Sequence, residues 1–161
     1  MTMPDPVIPT AAERRVMRQI CDWALVLAKT GGAPQFTAAV MDGDTEIARA
    51  RNEVAQTHDP SRHAEIAVLA EAGRILGRHD LSGHTLLASC QPCEMCLAAM
   101  RWARIDRLIF AARQENLGAG FFQFGALDIA DLRAASGEAF AYAGGVDEAR
   151  VLPLYVTGEA Q

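Results

Sequence analysis

The sequence has no apolar run of the ~20 residues that a membrane-spanning helix needs. The longest candidate, Trp23 to Ala28, is cut off by Lys29 and then Gly31-Gly32. Met1 to Thr10 carries prolines and an acid but no basic start, so it does not read as a secretory leader. A basic excess is missing as well. Fifteen Lys plus Arg stand against 20 Asp plus Glu, for a formal charge of −5. Nucleic-acid binders usually show the opposite balance, which weighs against a large nucleic-acid partner, although a local basic patch is compatible with a negative total. Cysteines are few, and three of the four (Cys90, Cys93 and Cys96, with Cys21 apart) crowd into seven residues. That crowding suits a disulfide framework poorly and, in a reducing compartment, points to a metal. Internal repeats and low-complexity tracts are absent. These absences lead to the expectation of a soluble cytoplasmic protein with no membrane partner.

What is present is an ordinary globular mix. The chain has 161 residues, half of them apolar and 22% charged. That length fits a single domain over 1–161 and can bury a core without disulfides. Residues 1–10 read as a loose lead-in. Thr10 to Lys29 reads as a helix, with Thr10 and Glu13 at capping-box spacing and Val16, Ile20, Trp23, Val26 and Leu27 at helical intervals. Gly31-Gly32 is expected to stop it. Phe36 to Met41 and Glu46 to Arg51 form a hairpin around Asp42-Gly43-Asp44. A helix is predicted from Pro60 to Leu76, with Asp59 as N-cap and Pro60 in the first position. Thr85 to Ser89 is a buried strand, Pro92 to Ala103 a third helix and Arg107 to Ala112 a fourth strand. Gly118 to Gly125 is a Gly- and Phe-rich loop, and Asp128 to Ala135 a short helix. Val151 to Val156 is read as a last strand, on an edge because of Pro153. The alternation predicts an α/β layered domain with some parallel pairing.

The chemistry lies in two short clusters, His63-Ala64-Glu65 and Pro92-Cys93-Glu94-Met95-Cys96, each at a predicted helix start. Cysteines three apart on a helix project from one face and can reach one ion. The helix N-terminus favours their thiolate forms. One imidazole and two thiolates leave the fourth position of a tetrahedral zinc open, which is the catalytic arrangement. Glu65, two residues from His63, is close to that position without being needed as a ligand. Zinc lowers the pKa of bound water to ~7, and a carboxylate beside it can take the proton and deliver it to a leaving group. Such parts suit attack on an amino-bearing ring carbon with loss of ammonia. Cys90, Cys93 and Cys96 also make a C-x-x-C-x-x-C run of the kind that can hold an iron–sulfur cluster. That alternative lacks a fourth ligand and leaves His63 and Glu65 unexplained. Cys90 is expected to be a buried residue at a strand end and Cys21 a core residue.

The pattern matches the H-x-E…P-C-x-x-C signature of zinc deaminases. From about Phe36 to Ala112 the chain resembles the cytidine deaminase-like superfamily, most closely the bacterial purine-base deaminases: guanine deaminases, with tRNA adenosine deaminases as near kin. The resemblance rests on His58-Asp59-Pro60-Ser61-Arg62-His63-Ala64-Glu65-Ile66, on Ser89-Cys90-Gln91-Pro92-Cys93-Glu94-Met95-Cys96, and on Trp102-Ala103-Arg104 leading into Phe110-Ala111-Ala112. It implies a three-layer α/β/α sandwich around a mixed sheet of about five strands. It implies one Zn2+ per chain on His63, Cys93 and Cys96, with Glu65 as the proton shuttle. It also implies a base held by Asn52, by an aromatic at Phe36 and by the backbone of Ala64, and a homodimer built on helices near Trp102. Asn52 could instead be a turn residue and Phe36 a core residue. Trp102 is expected in the core, with the pocket or a subunit contact as alternatives.

The chain departs from guanine deaminases after β-strand residue Ala112. Glu115 stands for their acid, while Phe122 and Gln123 replace an acidic pair. The tRNA enzymes' Lys-x-Gly-Ala-Ala-Gly-like loop is missing. Few residues follow Val156, so the family's helical closing tail is expected to be absent. Phe121, Phe122 and Phe124 are the candidate replacement, stacking on a planar heterocycle; packing under the loop or at an interface is the alternative. The expected activity is hydrolytic deamination of a small base, guanine or a relative. The rivals are deamination of tRNA adenosine or cytosine, and a zinc-stabilised binding protein with a dead site.

Overall fold

A computed structural model describes residues 7–31 and 35–156. Helix α1 spans Ala11–Gly31. Its capping box is closed: Glu13 N–H donates to Thr10 Oγ1 (3.1 Å) and Thr10 N–H to Glu13 Oε2 (2.8 Å). Glu13 is buried and also receives Arg107 (2.8 Å). Burial pushes its carboxyl up, but the bonds from Arg107 and Thr10 outweigh this and leave it below the usual range. Gly31 remains helical, and Gly32 lies outside the described residues, as do Met1 to Pro6 of the lead-in.

Strands β1 (Thr37–Asp42) and β2 (Thr45–Arg51) form the expected hairpin. A short helix, α2 (Val54–Thr57), precedes α3 (Ala64–Leu76). The predicted start at Pro60 is therefore corrected. Asp59 does not cap a helix; its Oδ1 accepts from Ser61 N–H (2.9 Å) and Ser61 Oγ–H (2.6 Å), closing a turn. The helix waits until Ala64, with His63 as N-cap. Then come β3 (Thr85–Cys90), α4 (Glu94–Trp102) and β4 (Arg107–Ala112). A 3₁₀ turn, Gln114–Asn116, leads to the loop and to α5 (Ile129–Ala135), which Asp128 caps. Strand β5 (Ala141–Ala143) and helix α6 (Glu148–Tyr155) follow.

The second correction falls on this last segment. Val151 to Val156 is helical, and the fifth strand is Ala141–Ala143. A short apolar run does not distinguish strand from buried helix by its periodicity. Here it covers only part of a helix that begins at Glu148 and buries Val151 and Tyr155.

The sheet runs β2-β1-β3-β4-β5. β1 pairs antiparallel with β2 and β3, while β3–β4 and β4–β5 are parallel. Alternate residues feed two cores. Ala38, Val40, Leu86, Ala88, Leu108 and Phe110 face α3, α4 and α5. Ala39, Met41, Leu87, Ile109 and Ala111 face α1 and α6. The expected α/β/α sandwich is thus present, with β1 and β3 buried almost throughout, as strands covered on both faces must be. Cys21 lies in the second core, as expected. Trp102 does not lie in a core. It is 86% exposed at the end of α4, which corrects the expectation drawn for it. Among the described residues, no helix is long and apolar enough to cross a membrane.

Candidate metal centre and active site

In open α/β sheets, ligands bind beyond the carboxyl ends of parallel strands. Both clusters converge there. β3 ends at Cys90, and Gln91 N–H is held by Ala112 O at the end of β4 (2.8 Å). Pro92 then turns the chain so that Cys93 is the N-cap of α4, with Cys96 on its first turn. His63 is likewise the N-cap of α3, with Glu65 on its first turn.

His63 Nδ1 lies 3.6 Å from Cys93 Sγ and 3.6 Å from Cys96 Sγ, and the two sulfurs are 3.7 Å apart. A tetrahedral zinc with ordinary bond lengths would separate its sulfurs by about 3.8 Å and sulfur from nitrogen by about 3.5 Å. The triangle therefore fits one Zn2+ per chain, and its soft, borderline donors suit that ion. Cys90 is outside the group of donors formed by His63, Cys93 and Cys96, which speaks against both the iron–sulfur alternative and a fourth thiolate on the metal. It is the buried strand-end residue expected, and burial drives its thiol well above the usual value.

The electrostatics favour ligation. Cys93 is pulled down to about 4, chiefly by the hydrogen bond from Cys96 Sγ and also by that from His63, against the cost of burial. The same bond pushes Cys96 up, so without a cation one thiolate serves both sulfurs. His63 is raised, first by its bond to Cys93. Glu65 is 6% exposed, with Oε2 3.4 Å from Cys96 Sγ. Burial first, and the nearby Cys93 charge second, lift its carboxyl to about 7. A group poised there exchanges protons readily at neutral pH.

Above this floor is a narrow pocket walled by Phe36, Asn52, Gln91, Phe121 and Phe122. Asn52 both ties a turn and lines the pocket. Its N–H donates to Phe36 O (2.9 Å), its Oδ1 accepts from Val54 N–H (3.0 Å), and it lines the pocket. Phe36 is likewise shared between the pocket and the packing behind it. It faces the pocket and stacks on Tyr155 at 4.9 Å and 4°. Ala64 is buried at the first position of α3. Two expected residues stay outside. Glu115 lies in the 3₁₀ turn, which Gln114 and Asn116 tie to Leu127 O and to Glu148, and it faces a different cleft with Arg113 and Asp128. Phe124 is 61% exposed and turned from the pocket, because the loop reverses before Leu127, whose N–H donates to Phe124 O.

Sequence reasoning missed Gln91 and Tyr155. Gln91 adjoins Pro92 of the motif and could have been found by that proximity. Tyr155 carried no local signal. It backs the site through long-range contacts: its ring stacks on Phe36, its O–H donates to Gln35 O (2.6 Å), and its oxygen lies 2.9 Å from Ser89 Oγ.

A family model described as the cytidine and deoxycytidylate deaminase zinc-binding region matches residues 11–112. Guanine deaminase of Bacillus subtilis is 37% identical over 91 residues, covering 56% of this chain and 58% of that protein. A tRNA-specific adenosine deaminase of Agrobacterium fabrum is 40% identical over 100 residues, covering 60% and 65% respectively. In both, the match spans less than two thirds of the relative's own length. Among solved structures, guanine deaminase from Nitrosomonas europaea superposes with a TM-score of 0.76 at 26% identity, over 92% of this chain and 84% of that one. A tRNA:A34 deaminase gives 0.69 at 28% identity, over 85% and 99%. The family match covers well over half the chain and contains His63, Glu65, Cys93 and Cys96, so the chain belongs to the cytidine and deoxycytidylate deaminase zinc-binding family.

Proposed function

We propose that the chain is a single deaminase domain that hydrolyses the C–N bond of a small amino-substituted heterocycle, guanine or a related purine base, and releases ammonia. One observation carries this reading: the buried Glu65 carboxylate stands beside three metal donors at the floor of an aromatic-walled pocket. Bound Zn2+ supplies a water acidified to a pKa of ~7. Asn52 and the first-turn N–H of Ala64 orient the base by hydrogen bonds, and Phe36, Phe121 and Phe122 hold its plane and exclude solvent. Glu65 takes a proton from the attacking water and passes it to a ring nitrogen. It then carries the second proton to the amino group. Oxygen replaces nitrogen on the ring carbon, and ammonia leaves.

Deamination of adenosine in tRNA is the second reading, favoured by the 40% identity to a tRNA-specific relative. The formal charge of −5 argues against it. So does the pairing of Arg49 with Glu46 and of Arg62 with Glu53 at the groove that Arg49, Arg51 and Arg62 line. Four free cysteines suit a reducing compartment such as the cytoplasm. We further infer a homodimer built on the face around Trp102, where Leu69, Leu81 and Ala103 line an apolar groove.

The test is ammonia release by the zinc-loaded chain from guanine, adenine, cytosine and an adenosine-bearing tRNA anticodon stem. Guanine turnover is expected, together with a fall in kcat of about 10²–10⁴-fold in Glu65→Gln at unchanged zinc content. Turnover of the tRNA stem alone would favour the second reading. Full activity in Glu65→Gln, or no ammonia from any of the four, would overturn the proposed mechanism.

A further inference from the structure

We propose that Glu94 is a positioning residue that latches the Gly118–Gly125 loop over the site and thereby sets the affinity for a planar substrate. The inference rests on the deaminase reading for its substrate but on separate contacts for its geometry. Glu94 is the first residue of α4, placed between the two thiol ligands. A single carboxylate oxygen, Oε1, accepts from Gln123 N–H (3.1 Å) and from Phe124 N–H (3.3 Å). Charge-assisted bonds of this kind are stronger than neutral ones.

The loop contains no helix or strand, so discrete ties fix its course. At its start, Gly118 N–H donates to Tyr155 O (2.9 Å). A side chain there would bring its Cβ to 2.9 Å from Val156 O, so only glycine allows the approach. At the other end stands the Glu94 carboxylate. The residues held between the two ties are Phe121 and Phe122, which line the pocket. Phe121 meets Phe36 edge-on at 6.1 Å and Tyr155 at 6.3 Å. One end of the aromatic wall is therefore bound to α6, and the other to the helix that carries the two thiol ligands. Glu94 does not itself line the pocket. Its effect on a substrate must pass through the loop.

The experiment compares zinc-loaded full-length chain with Glu94→Ala and Glu94→Gln. Amide hydrogen exchange over 121–125, zinc content, and KM and kcat for guanine are read in parallel. Removing both acceptor contacts should speed exchange at Gln123 and Phe124 by about tenfold or more, as the loss of two protecting hydrogen bonds implies. KM should rise several-fold while kcat and zinc content change little. Glu94→Gln keeps an acceptor oxygen and should restore most of both effects. A purely structural role would lower stability without this rescue or this split between KM and kcat. Unchanged exchange in Glu94→Ala overturns the latch. Faster exchange with unchanged KM overturns its role in affinity. Gln123→Pro deletes one donor from the loop side without touching α4, and should reproduce part of the KM rise; failure to do so counts against the proposal. If guanine is not a substrate at all, the exchange measurement still decides the latch, so the two readings fail separately.

Discussion

The floor and the wall of the pocket are built in opposite ways. The floor comes from two helix starts. Each places its chemical groups within four residues, and each is carried on a buried part of the fold. The wall gathers Phe36 before β1, Phe121 and Phe122 from an irregular loop, and Tyr155 from α6 behind them. Floor residues are set by helical geometry, which holds wherever the helix goes. Wall residues are set by contacts between segments far apart in the chain, such as Phe36 with Phe121 and with Tyr155. Loss of one floor group should therefore abolish a function outright, while loss of one wall group should weaken it by degrees.

The strongest way to break this comparison is at a ligand. Cys93→Ala should take the zinc content from one per chain toward none, because a structural triangle of three donors cannot lose one and keep its ion tightly. Metal analysis after dialysis is the check, and retained zinc would show that the floor is not built as described. A smaller effect is expected at the wall. Tyr155→Phe keeps the ring stacked on Phe36 but removes the contacts to Gln35 O and Ser89. It should cost about 1–3 kcal/mol in urea unfolding, with zinc retained. A loss of zinc in this variant would erase the distinction between floor and wall. The smallest effect on chemistry is expected at the far end of α4. Trp102→Arg, on the exposed face, should leave zinc and KM as they are and shift light scattering from dimer to monomer mass. A monomeric parent chain, or a dimeric variant, would remove the proposed assembly face.

The legibility of the sequence follows the same division. His63, Glu65, Cys93 and Cys96 could be read directly, because spacing on a helix start is local information. Strand β4 has the ends that its sequence predicts, and Thr10 with Glu13 forms the capping box that their spacing announces. The exposure of Trp102 was not readable, because an aromatic on an amphipathic helix gives no sign of whether a partner covers it. Nor was α6. The run Val151 to Val156 suits strand and helix alike, and its packing on α1 and β4 decided between them. Tyr155, which backs the pocket wall by stacking on Phe36, lies in that run.

The sequence by itself determined the donor set, the carboxylate beside it and the near-continuous apolar strands of a sheet covered on both faces. These depend on residue type at fixed short spacing. Only the tertiary structure decided which aromatics face the pocket, that Glu115 and Phe124 do not, and that Glu94 ties the loop to the metal-binding helix. Those outcomes depend on where an irregular segment comes to rest against distant ones, and no local periodicity encodes that.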